Sequence, residues 1–143
     1  GGHALTLAVQ KHFGVTEAEA RKIKAERGIV PAPGNEDYLA AMLSTVSAIR
    51  DEISTRLDYW QEKAKTSTTQ TPVTHAILVG GNASVRGFPE YLEGALKIPV
   101  VAGDVFTNLA SLDTWIPTLD YTESLAYATA IGLALRDDIQ SYA

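Results

Sequence analysis

The chain has 143 residues, of which 12 are Lys or Arg and 17 are Asp or Glu, for a net charge of -5. That is the length of one ordinary domain or of part of a larger one, and the acidic balance argues against a nucleic-acid groove built on bulk positive charge. No cysteine is present, which excludes disulfides and thiolate metal sites and suits a reducing compartment. The longest strongly apolar run, Leu125 to Leu135, falls short of the roughly 20 residues a membrane span needs, so direct membrane insertion is not expected. The chain opens on Gly1 with no signal-peptide pattern, and it reads as a piece of a longer protein.

From Ala4 to Phe13 the apolar residues Leu5, Val9 and Phe13 recur every four positions, the pattern of a short amphipathic helix, with Gly14 as its stop. Thr16 and Glu19 have the spacing of a capping box, in which the Thr oxygen accepts from the N3 amide and the Glu reaches back to the N-cap amide; Gly28 ends that second helix. Pro31 to Gly34 is a rigid turn, and Asn35 can cap the next helix, with Glu36 and Asp37 complementing its dipole. In this longest element Leu39, Met42, Val46, Ile49, Ile53, Leu57 and Trp60 form one narrow stripe, either core-facing or a seam for a partner helix. Glu52 and Arg56 make an i,i+4 pair on its polar face, worth only a few tenths of a kcal/mol. The polar stretch Lys65 to Pro72 is a loop.

His75 to Val79 is apolar without alternation, as expected of a strand covered on both faces in a parallel sheet. Pro89, at a first helical position, begins a helix through Leu96, and Ile98 to Val101 is the next strand. Strand, helix and strand make a right-handed unit. Gly103 to Asp120 reads as a long loop carrying Trp115 and Pro117; Thr122 then caps a last helix whose small residues Ala126, Ala128, Ala130, Gly132 and Ala134 let it lie close against a sheet.

Gly80 and Gly81 stand where the first strand ends, the end at which open α/β sheets bind ligands. Two readings of the pair remain open. Without Cβ atoms, a planar ring or a phosphate can approach the backbone, and Asn82 can cap a turn whose amides face the ligand. Alternatively the glycines serve a tight turn needing positive φ.

The segments GGHALT (1–6), AEARKIKAERG (18–28), ILVGGNASVRGFPEYL (77–92) and GLALR (132–136) occur in that order, and with EISTRLDYW (52–60), DVFTNL (104–109) and the ending ATAIGLALR (128–136) they span essentially the whole chain. Together they resemble the second half of the actin-like ATPase domain, and within it the PilM family of type IV pilus assembly, with the cell-division protein FtsA as near neighbour. The resemblance implies an α/β chain: a partial actin-like, ribonuclease H-like lobe with two parallel strands, several helices and an inserted helical subdomain. Residues 1–13 and 71–143 would form the lobe core and 14–70 the helical subdomain with its long connecting helix. Val105 and Phe106 depart from the Pro-Phe pair of that family, which leaves the path of their loop open.

The same resemblance implies ATP as ligand, with Mg²⁺ in the longer protein. Gly80, Gly81, Asn82 and Ala83 would be the adenosine motif, with Gly81 and the following turn, through Val85, under the base and ribose. Gly2 would stand near the phosphates. Lys24, and Glu19 five residues before it, become candidates for ribose and adenine contacts, against a solvated charge for Lys24 and the capping box for Glu19. No Asp-x-Gly phosphate hairpin occurs in the sequence, so this chain alone is not expected to be a complete ATPase. The implied setting is cytoplasmic, peripheral to the inner membrane, in a scaffold or clamp with pilus alignment-complex proteins such as PilN, whose main docking site would lie outside this chain. An FtsA-like filament protein, or a scaffold of the same fold without nucleotide, are the alternatives. A lobe lacking neighbouring strands would also tend to self-associate.

Other chemistries find little support. His3, His12 and His75 lack the i,i+3 or i,i+4 spacing of a shared metal site, and no Ser sits in a G-x-S-x-G elbow. Asp137 and Asp138 are adjacent and diverge on a helix, so they are not expected to act as a carboxylate pair.

Overall fold

The computed structural model describes residues 2–107, 109 and 116–140. Trp115 falls outside them, and so do the side chains of Asp137 and Asp138. In chain order the elements are α1 (Gly2–Phe13), α2 (Glu17–Arg27), α3 (Glu36–Thr66), β1 (Ala76–Leu78), α4 (Phe88–Leu96), β2 (Val100–Ala102), α5 (Tyr121–Ser124), a 3₁₀ turn (Leu125–Tyr127) and α6 (Ala128–Gln140). The two strands pair in parallel with Ile77 opposite Val101, which gives the expected α/β chain with two parallel strands around a strand, helix, strand unit.

The capping box at α2 forms as the spacing predicts: Glu19 N–H donates to Thr16 Oγ1 over 3.3 Å, and Thr16 N–H donates to Glu19 Oε2 over 2.8 Å. Gly28 closes the helix with φ of 63°. Asn35 behaves differently. It occupies the N-cap of α3 without a capping bond; its Nδ2 instead donates to Val30 O over 2.8 Å, closing the proline turn from inside. α1 begins two residues earlier than the apolar pattern alone suggests, at Gly2, and the final helical segment is capped by Asp120, whose Oδ1 accepts from Glu123 N–H over 2.8 Å, rather than by Thr122.

The core lies between α1, α2, α3 and α4. Leu5 and Val9 of α1, Ala20 of α2, Tyr38, Met42 and Val46 of α3, and Phe88, Leu92 and Leu96 of α4 are buried together with Val85 and Val100. Each large apolar side chain so buried contributes about 1.5–3 kcal/mol. The buried line on α3 therefore starts at Tyr38, while Leu39, Ile49, Ile53 and Leu57 flank it half-buried. Tyr59 and Trp60 leave the core altogether; both are exposed, in edge contact at 5.4 Å, with the Lys63 ammonium 5.1 Å from the Trp60 ring. The stripe read on this helix is core-facing over its first half and solvent-facing at Trp60.

The sheet departs from expectation in one respect. Ala76, Leu78 and Val100 turn toward the helices, whereas Ile77, Val79 and Val101 on the other face are exposed by 59%, 57% and 52%. The strands alternate in burial because helices cover one face. α6 does not cover the second: its contacts run mainly to the 3₁₀ turn before it, and Leu133 is 60% exposed. The small residues expected to bring that helix against a sheet are likewise exposed at Ala130, Gly132 and Ala134.

The edges of the sheet are unequal. On β2, Val100 N–H donates to Glu93 Oε2 over 2.9 Å, and the Tyr121 hydroxyl donates to Gly103 O at 2.9 Å, just past the strand. On β1, Ala76 and Leu78 bond toward β2 through Pro99 O and Gly103 N–H, so the alternation of a parallel ladder turns the N–H and C=O of Ile77 to the outer edge.

Candidate functional site

Three elements converge where β1 ends. Gly80 has φ of 94°, a value open to glycine at little cost, and its N–H donates to Leu125 O over 2.8 Å, tying the loop to the 3₁₀ turn. The chain then descends through successive tight turns, Ala83 N–H to Gly80 O at 2.9 Å and Val85 N–H to Asn82 O at 3.1 Å, before α4. Gly81, by contrast, has no positive φ, and a Cβ on it would meet no atom within 4 Å. The two glycines thus divide the readings left open by the sequence. A Cβ would meet open space at either position, but only Gly80 carries the positive φ of the turn.

That space belongs to a cleft of about 680 Å³ between the start of α1, the middle of α3 and the β1–α4 loop, within the range of about 300–1,000 Å³ usual for small-molecule sites. Gly2, Gly80, Gly81 and Asn82 line it together with Ile49, Glu52, Ile53, Val79 and Phe88. The walls are mostly apolar. Glu52, the one acidic group among these lining residues, accepts from Arg56 Nε at 2.9 Å.

Asn82 is held from behind. Lys24 Nζ on α2 donates to Asn82 Oδ1 over 3.1 Å and to Thr6 Oγ1 over 3.3 Å, and the Thr6 hydroxyl donates to Gly2 O over 3.2 Å. Three of the expected residues, Gly2, Lys24 and Asn82, are therefore joined by one network through Thr6, a buried residue the apolar periodicity of α1 gave no reason to single out. Lys24 is half-buried among neutral acceptors. Burial pushes its pKa down from the usual lysine value, and the nearby Arg21 charge pushes it in the same direction. A fully solvated lysine would have neither contact.

The remaining candidates sit elsewhere. Ala83 and Val85 are buried at 4% exposure each, Val85 within the main core; they anchor the loop from below, and their side chains do not line the cleft. The Glu19 carboxylate is exposed and held by the Thr16 amide and hydroxyl, both at 2.8 Å, which keep its pKa below the ordinary glutamate range. Asn82 does not cap the turn after it, because its side-chain oxygen is occupied by Lys24. Sequence reasoning did not find the cleft wall on α3, where Ile49 and Ile53 read as core stripe; their half-burial is the signal that one side of the stripe faces a cavity.

Among the described residues no group of three His, Cys, Asp or Glu is placed to hold a metal ion, and no described helix is long and apolar enough to cross a membrane.

The arrangement defines an α/β chain with an apolar cleft at the carboxyl end of a parallel strand, rimmed by a Gly-Gly-Asn turn and backed by a half-buried lysine. Residues 1–138 match the family model of the type IV pilus assembly protein PilM, and the chain belongs to that family. Among curated proteins none matches it.

Proposed function

We propose that this chain is a nucleotide-binding part of an actin-like pilus assembly protein, and that the cleft beside Gly81 takes the nucleoside of ATP. The observation that carries the reading is that Gly2, at the start of α1, meets the consecutive Gly80, Gly81 and Asn82 of the distant β1–α4 loop on one cleft. The residues fit the ligand. The open space at the Gly81 Cβ position lets a flat ring approach the backbone, the walls are apolar, and the start of α1 at Gly2 presents the unpaired amides of a helix N-terminus toward a phosphate. Asn82 contributes a polar group at the rim, Lys24 holds it from behind, and Glu19 acts in the helix cap.

In this reading ATP supplies binding energy for a conformational clamp at the cytoplasmic face of the inner membrane, with Mg²⁺ and the phosphate hairpins provided by other parts of the protein. Pilus alignment-complex proteins such as PilN would be the partners, docking mainly outside this chain. Self-association through uncovered sheet belongs to the same proposal.

Calorimetry of the chain against ATP and AMP, with and without Mg²⁺, tests it. A nucleoside wall without phosphate hairpins binds both at about millimolar Kd, corresponding to about 4 kcal/mol, with little preference between them. Micromolar, Mg²⁺-dependent ATP binding would contradict this division of the site. A second reading, a pure interaction scaffold of the same fold, draws on the exposed face of Ile77, Val79 and Val101; it expects no heat with either nucleotide.

A further inference from the structure

We infer that Lys24 is a positioning residue for the cleft: its ammonium fixes the Asn82 carboxamide with the oxygen inward and the NH₂ toward the cleft, so that this rim selects ligands offering a hydrogen-bond acceptor. The identity of the ligand rests on the nucleotide reading; the orientation of Asn82 does not.

The two ends of a carboxamide have nearly the same shape, and only their partners distinguish them. An ammonium has donors and no acceptor, so the amide atom 3.1 Å from Lys24 Nζ is the oxygen. Thr6 gives the network a single direction, because its hydroxyl proton goes to Gly2 O and its lone pair accepts from Lys24. With Oδ1 engaged, Asn82 Nδ2 makes no hydrogen bond among the described residues, while Asn82 lines the cleft. The rim therefore presents a free donor.

Remove the ammonium and this discrimination is lost. No other described hydrogen bond holds the Asn82 side chain, so both amide orientations become tolerable and the donor faces the cleft only part of the time. Nor does an ion pair account for Lys24. Among the described residues no carboxylate lies within salt-bridge distance of it, so a half-buried cation is maintained on neutral oxygens alone. Its contacts join α1, α2 and the β1–α4 loop at the cleft rim.

The test uses nuclear magnetic resonance on the labelled chain with adenosine, an uncharged probe that will not be repelled by a new carboxylate. In the wild type the Asn82 Nδ2 protons show NOEs to the cleft-lining methyl group of Ala4. Asn82→Asp retains and charges the Lys24 contact but removes the donor; melting temperature holds or rises, and adenosine binding falls about tenfold or more. Lys24→Met weakens binding several-fold and disperses the NOEs, Lys24→Arg restores both, and Lys24→Met adds nothing to Asn82→Asp. Wild-type-like adenosine binding by Asn82→Asp, or Nδ2 NOEs to Lys24 and Thr6 instead of the cleft, overturns the inference. If the wild type shows the cleft-facing NOEs yet ignores millimolar adenosine, the nucleotide reading falls and the positioning role of Lys24 stands.

Discussion

Ile29 donates its N–H to Arg86 O over 2.6 Å, joining the end of α2 to the loop before α4. A glycine flanks each partner at positive φ, Gly28 at 63° and Gly87 at 83°. A Cβ on Gly28 would stand 2.6 Å from Arg86 O, and one on Gly87 would collide with Ile29 O. The two backbones can meet only because both positions lack a side chain. This crossing fixes α2, and with it Lys24, against the loop that carries Asn82.

Gly87→Ala should therefore be among the most damaging single-methyl changes, combining a strained φ with a backbone collision and costing at least about 1–3 kcal/mol. Thermal unfolding measures it. A melting temperature within a degree or two of wild type would mean that the crossing opens without loss.

The adjacent glycines of the cleft should respond in opposite ways. Gly81→Ala meets open space without a positive φ and should leave stability unchanged or raise it by about 0.4–1 kcal/mol, while Gly80→Ala, at φ of 94°, should lower it. Gly81→Val should keep most of the melting temperature and lose the nucleotide response. Comparing melting curves with and without ATP separates a ligand-facing glycine from a turn glycine.

Much of this was legible beforehand, for identifiable reasons. The capping box of Thr16 and Glu19 is local chemistry, fixed by spacing alone, and it formed as read. Gly80 and Gly81 marked the end of β1, but their division of labour depends on φ, which is positive at Gly80 and not at Gly81. The Lys24 to Asn82 contact joins residues 58 positions apart, and no periodicity encodes it. The half-covered sheet was misread because Ile77 and Val79 are apolar whether or not a layer covers them. Asn35 had a capping residue's identity, yet Val30 O before the Pro31 to Gly34 turn accepts from its Nδ2 and holds the side chain by its donor end, while its oxygen makes no cap.

Acid should act on α2 through its cap. Hydrogen bonds from the Thr16 backbone and then its hydroxyl lower the Glu19 pKa from 4.5, so the native state holds the ionised carboxylate better than the unfolded chain does. The resulting stability is present above the unfolded value and is lost as pH falls through the lowered one. Glu19→Gln should flatten that part of the stability profile, and Thr16→Ala should cost about 1 kcal/mol near neutral pH. Both should leave nucleotide binding intact; loss of binding in Glu19→Gln at unchanged stability would move Glu19 from the cap into the ligand site.

The edge at Ile77, open among the described residues, predicts association. The N–H of Ile77 points away from β2, and the exposed face of Ile77 and Val79 adjoins it, a combination that favours pairing with another strand. Light scattering across a concentration series should show dimers or larger species, with the Ile77 amide gaining protection from hydrogen exchange as concentration rises. A strictly monomeric chain with that amide protected at every concentration would mean that another segment covers the edge.

The most direct test of the nucleoside cleft is a residue-resolved titration of the ¹⁵N-labelled chain with AMP up to several millimolar. Amide shifts should concentrate at Gly2, Gly80, Gly81 and Asn82, with smaller changes along α3 at Ile49 to Ile53, and should saturate with a Kd of about a millimolar. Shifts confined to the exposed Tyr59, Trp60 and Lys63 surface, or no shift at all, would contradict a nucleoside site at the end of β1.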